Sequence, residues 1–189
     1  MTAEVLLTAG ATAGSGAVEA PPTLAEQAAA AGLAVRATGA WPESTVDTKP
    51  PGLPGFVVST FSPLVAEAAS RCLTRAGDLA ERTAIVLCSP LGDVTSAVHV
   101  AHAVDTGARV GPLLFFQSVP NAVAGHLAAQ WGLIGPVACL GSAAGGLDLA
   151  ALLIADGSAD EALVVLAQQG EPDRATAVLV APVTEGDGS

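Results

Sequence analysis

Between residues 61 and 180 apolar positions alternate between helical and strand-like spacing; before residue 61 they show little period. Val65, Ala68, Ala69, Cys72 and Leu73 recur at helical intervals up to Gly77. Ser62 and Pro63 precede them as N-cap and first helical position. Thr83–Cys88 is a continuous apolar run of strand length. Residues 94–104 read as a helix ended near Gly107, and 120–131 as a helix stopped by Gly132. A strand over 136–140 and a helix over 142–155, closed by Gly157, follow. Residues 161–167 and 174–180 predict two further strands. The loop between them, 168–173, is too short for a crossover helix, so this last pair is expected to be antiparallel.

Upstream, Val5-Leu6-Leu7 reads as a short buried strand, and 23–31 as a short helix opened by Pro21-Pro22 and stopped by Gly32. The rest of 11–60 reads as irregular, because Trp41-Pro42 and the run from Lys49 to Gly55 remove ladder donors and fix φ. Residues 183–189 are expected to form a disordered tail. Strands alternating with helices predict one domain over 1–189, a three-layer α/β/α architecture on a five-stranded mixed sheet whose last strand is antiparallel.

Charge narrows the function. Seven Lys+Arg against eighteen Asp+Glu leave a net charge of −11 on 189 residues. Nucleic acid is disfavoured as a partner, since it is bound by cationic surfaces, and so is an anionic membrane surface. Asp148, Asp156, Asp160 and Glu161 interrupt the most hydrophobic region, so no stretch reads as a membrane span. Cys72, Cys88 and Cys139 are odd in number and widely spaced, which fits a reducing cytoplasm better than a disulfide framework or zinc site.

Several motifs lead nowhere. Gly10-Ala-Thr-Ala-Gly14-Ser-Gly16 has dinucleotide-cradle spacing, but Pro21-Pro22 leave no room for the helix that would hold the pyrophosphate, and the chain has no tyrosine to carry a proton. No cofactor is expected. His99 and His102 share a helix face without clear further ligands, so no metal is expected either. Gly141-Ser-Ala-Ala-Gly145 puts its serine one place too early for a hydrolase elbow. More informative is 135–157, where a strand delivers Cys139 towards the start of a small-residue helix. A thiol at a helix N-terminus has its pKa lowered and suits acyl transfer; a free cysteine is equally a common buried hydrophobe.

With that segment in view, the chain resembles the N-terminal half of a β-ketoacyl synthase of the thiolase-like superfamily. Val119-Pro120-Asn121-Ala-Val-Ala-Gly125-His126-Leu-Ala is similar to a family block that precedes the nucleophile strand, as is Trp131-Gly-Leu-Ile-Gly135-Pro136. Phe61-Ser-Pro-Leu-Val-Ala-Glu-Ala-Ala resembles its first long helix, and the run from Arg82 to Gly92 its second strand and glycine turn. Gly157-Ser-Ala-Asp160-Glu-Ala-Leu-Val-Val and Arg174-Ala-Thr-Ala-Val-Leu-Val resemble the closing strands. The likeness runs from about residue 56 to 182, and the strand at Val5 fits it.

The resemblance implies an acyl-accepting cysteine, but its register lands on Leu140, one place after Cys139. A one-residue slip turns a side chain to the opposite face. It also implies two catalytic histidines in a second half-domain that this sequence does not include, and His126 is not one of them. Its helix over 142–155 would lie between two half-domains, and here it is apolar nearly all round. This predicts association through Val137, Leu140, Leu147, Leu149, Leu152 and Leu153, with a second copy or a ketosynthase-like chain. The leading expectation is a non-catalytic accessory subunit of a fatty-acid or polyketide-type pathway. The alternatives are half of a split synthase using Cys139 as nucleophile with histidines from another chain, and an acyl-chain or carrier-protein binding module. Carrier proteins are acidic, and only Arg71, Arg75 and Arg82 approach a basic cluster.

Overall fold

The computed structural model describes residues 21–183, with Leu113 and Phe115 described by backbone only. Its elements run α1 (Leu24–Ala30), β1 (Leu33–Trp41), α2 (Phe61–Ala76), β2 (Thr83–Cys88), α3 (Val94–Asp105), α4 (Pro112–Gln117), α5 (Pro120–Trp131), β3 (Val137–Leu140), α6 (Ala143–Ala155), β4 (Glu161–Gln168) and β5 (Arg174–Pro182). The five strands form one sheet in the order β1-β5-β4-β2-β3. β5 is antiparallel to both its neighbours, and β2 is parallel to β3 and β4. Four strands therefore point the same way and β5 runs against them.

The central strands show why their sequences read as unbroken apolar runs: they are covered on both faces. Ile85, Leu87, Leu163, Val165 and Leu179 face α2 and α5, joining Phe61, Leu64, Leu73, Val123 and Leu127. Ala84, Val86, Cys88, Val164 and Val178 face α1 and α6, joining Leu24, Ala28, Leu147 and Ala150. At the amino end of β4, buried Glu161 accepts hydrogen bonds from Thr83 Oγ1 at 2.7 Å and the Ala80 amide at 2.8 Å, and pairs with Arg36. The buried carboxylate is thus fully partnered.

The fold class matches the expectation, but one described strand was not expected. β1 lies within 11–60, a stretch whose sequence reads as irregular, and it occupies the sheet edge beside β5. The expected strand at Val5–Leu7 falls outside the described residues, as do residues 184–189 of the expected tail. β1 escapes a pattern reading because it alternates weakly: only Leu33, Gly39 and Trp41 are buried. Gly39 is the reason it can be covered. A Cβ there would stand 2.5 Å from both the Ala68 carbonyl oxygen and the Cys72 amide, so α2 crosses β1 at backbone contact.

One boundary moves, one helix is added and one expected helix forms. Thr60, not Ser62, caps α2, and Ser62 is buried inside its first turn. α4 is a short helix opened by Pro112 that the sequence does not announce. The expected helix over 23–31 forms over α1, where Thr23 and Glu26 make a capping box.

The segment from 42 to 60 is a strap tied down on α2. Arg71 bonds Asp47 and Glu67, and Arg75 bonds Glu43 at 2.6 Å through both terminal nitrogens. No described helix is long and apolar enough to cross a membrane.

Candidate functional site

In open α/β sheets ligands gather at the carboxyl ends of parallel strands. Here that end carries the β2 turn from Ser89 to Asp93, the start of α6, the β4–β5 turn and the end of the strap. A crevice of about 280 Å³ opens between β2 and β3, lined by Leu87, Ser89, Gly92, Pro120, Cys139, Leu140 and Gly141. Beside it Ser89, Pro90, Leu91, Gln168 and Gln169 line a hollow of about 140 Å³. A larger hollow of about 450 Å³ lies on the strap, walled mostly by prolines, valines, Leu53 and Phe56, with Lys49 its one charged group. Its hydroxyls are those of Ser59 and Thr60, the latter tied to Asp173 at 2.7 Å, whereas the cysteine lies in the crevice.

Strand alternation sorts the two residues that matter. In the β2–β3 register Cys139 pairs with Leu87 and Leu140 with Cys88. Leu87 faces α2 and α5, whereas Cys88 faces α6. Cys139 is accordingly exposed in the crevice beside Pro120, at the start of α5. Leu140 is half-buried against α6, its Cδ2 3.6 Å from where a Cβ on Gly145 would stand. The residue at the foot of the helix is therefore a hydrocarbon.

Cys139 does not sit at the helix N-terminus, contrary to the sequence expectation. Ser142 is the N-cap, accepting from the Gly145 amide at 3.2 Å, and Cys139 lies back on the strand. Partial burial pushes its thiol up rather than down. No histidine reaches it: His99 and His102 are exposed on α3, and His126 packs edge-on against Phe56 with ring centroids 6.0 Å apart. Among the described residues no three His, Cys, Asp or Glu side chains gather to hold a metal.

The other predicted positions have architectural work. A Cβ on Gly135 would collide with the Thr83 carbonyl, so this glycine lets the chain cross the start of β2. The Pro136 carbonyl then accepts from the Ile85 amide at 2.9 Å. Pro120 opens α5 with its fixed φ, and Asn121 and Gly125 are exposed on that helix.

α6 is less bare than its sequence suggests. Leu147 is 2% exposed in the chain's own core; Leu149, Leu153 and Ile154 are half-buried against the same cluster, which includes Leu24 and Ala28 of α1. Leu152 alone of the expected leucines stands clear, at 59% exposure, with Asp148 and Ala144. The short helix α1 supplies part of the cover that the sequence reading assigned to another polypeptide. Val137, on the sheet edge, is 40% exposed.

The family model described as beta-ketoacyl synthase, N-terminal domain, matches residues 37–179, from within β1 to within β5. The chain belongs to that family.

Solved β-ketoacyl synthase relatives share the fold at low identity. A ketosynthase in complex with its chain length factor from Xenorhabdus doucetiae gives a TM-score of 0.64 at 15% identity, over 81% of this chain and 80% of that one. The ishigamide ketosynthase/chain length factor gives 0.62 at 20%, over 77% and 50%. A beta-ketoacyl synthase from Burkholderia phymatum STM815 gives 0.59 at 17%, over 75% and 46%. The chain thus spans about half the length of the last two, and four fifths of the first. No curated protein matches it in sequence. Sequence reasoning missed Ser89 and Leu87 at the crevice and Gln169 at the hollow beside it; they sit at or beside strand ends and belong to no recognisable motif.

Proposed function

We propose that the chain is a non-catalytic ketosynthase-like subunit of a fatty-acid or polyketide-type assembly, acting in association with a ketosynthase-like chain. One observation carries this reading: Leu140 occupies the foot of α6, where the family resemblance places the acyl-accepting cysteine, while Cys139 is turned to the opposite face. Condensation needs a thiolate and a stabilised enolate. Partial burial raises the Cys139 thiol above its ordinary value, and none of the three histidines bonds it.

Support for a partner comes from fold relatives described as ketosynthase and chain length factor together, one of them matched along four fifths of its chain. Among the described residues the edge of β3 with Val137 has no partner strand; it and the outer face of α6 with Leu152 are the surfaces offered to it. Another relative is described as an acyl-carrier protein in complex with its ketosynthase. Direct carrier docking here is disfavoured, because Arg71, Arg75 and Arg82 are all engaged by carboxylates of this chain.

The test is intact-mass spectrometry after incubation with an acyl thioester, alongside sedimentation with and without a ketosynthase chain. The expected result is no adduct and a new heavier species with the ketosynthase. An acyl adduct on Cys139 would replace this reading with that of a split synthase.

A further inference from the structure

α3 is the least anchored helix of the fold. Only Ser96 and Ala103 on it are buried, while Val98 and Val104 are 62% and 70% exposed. Four of its residues are valines, which lose side-chain freedom in a helix, and a helix of 12 residues has little stability alone in water. Ser96 bonds Asp93, the helix's own N-cap. Among the described residues, the hydrogen bonds from α3 to any other element end on one side chain, that of Gln169. Its Oε1 accepts from the Thr95 amide at 3.4 Å, and its Nε2 donates to Thr95 Oγ1 at 3.1 Å. Nε2 also lies 3.5 Å from Ser59 Oγ and Thr60 Oγ1, at the end of the strap. The strap has a separate hold, from Thr60 Oγ1 to Asp173 at 2.7 Å. Among the described residues α3 has no such second hydrogen bond to another element.

We infer that Gln169 is a latch and α3 the flap it secures. Gln169 sits in the β4–β5 turn, where it lines the smaller hollow with Ser89, Pro90 and Leu91. While the amide is engaged, the first turn of α3 is held beside that hollow. When the amide turns to another partner, α3 loses its cross-element hydrogen bonds together, whereas the strap stays on Asp173. Opening is therefore local: it frees α3 beside the smaller hollow without disturbing the sheet. Low-stability elements of this kind are the ones that move on binding. The device does not depend on whether the chain condenses acyl groups.

Hydrogen exchange on the full chain, read by mass spectrometry, tests it. Gln169→Ala is expected to speed exchange over residues 95–105 by about threefold to tenfold, the worth of a hydrogen bond. Exchange in β2, β4 and α2 stays at the wild-type rate. Thr95→Val acts on the same segment in the same direction, while Thr60→Val loosens only the strap end. Wild-type exchange over 95–105 in Gln169→Ala overturns the latch. So does an increase shared with β2 and β4, or one that Thr60→Val reproduces in α3.

Discussion

The guanidinium of Arg71 lies 4.6 Å from the centre of the Trp41 ring while its terminal nitrogens hold both carboxylate oxygens of Asp47, at 2.8 and 3.1 Å. One side chain thus joins α2, the end of β1 and the strap. Arg71 holds the Asp47 carboxyl well below the usual carboxylate range, and Arg75 lowers that of Glu43. A depressed folded-state pKa contributes stability that is complete above the unfolded value, about 4. It is lost as pH falls through the lowered folded value. The strap is expected to stay closed from neutral pH to about 4 and to release below that. Trp41 fluorescence in a Trp131→Phe background follows the release. Asp47→Asn should show the released signal already at neutral pH; matching profiles for the two proteins would refute the assignment.

Cys139 is expected to alkylate only as pH rises past the ordinary thiol range. Cys72 and Cys88, buried and pushed up to about 11, should stay unreactive while the chain is folded. Leu140→Cys places a thiol against the first turn of α6, where the helix N-terminus favours the thiolate. The alkylation profile of that introduced thiol should lie at lower pH than that of Cys139. Iodoacetamide rates against pH, resolved by peptide mapping, decide it. A profile for the introduced thiol at or above that of Cys139 would remove the distinction between the two faces of β3.

Gly146 lets α6 settle on β2. A Cβ there would collide with Cys88 Sγ and stand 3.4 Å from Val86 and 3.6 Å from Val164. Gly146→Ala should cost about 1–3 kcal/mol by overpacking. Adding Cys88→Ala removes the colliding sulfur and should recover part of that loss. Urea denaturation of the two single variants and the double gives the coupling, and strictly additive losses would mean that the contact is not made.

Gly39→Ala is expected to be worse, because the obstruction is the α2 backbone and cannot rotate away. Loss of the cooperative unfolding transition, or accumulation as insoluble protein, is the expected outcome. A variant with near-wild-type stability would show that α2 and β1 are not in backbone contact.

Fold class was legible because β2 and β4 are buried on both faces and read as apolar runs, while Gly77, Gly132 and Gly157 mark helix ends. The order of blocks around Pro120, His126 and Gly135 carried the family. β1 was not legible, since an edge strand whose cover is a helix backbone needs a glycine rather than a hydrophobic stripe. Nor was the role of Gln169, which depends on a turn, a helix start and the strap meeting from positions far apart in the chain.

The sequence alone determined which segments must leave water; the expectation that Cys139 stands one place early came from the family resemblance. Hydrophobic periodicity and chain order are local properties, so they survive without coordinates. Tertiary structure decided which face each of Cys139 and Leu140 takes, since pairing with β2 assigns them to opposite sides of the sheet. It also decided which apolar helix lies open: α1 partly covers α6, while α3 stands exposed on one amide's hold. Burial is set by what folds back onto a surface, and that neighbour is remote in sequence.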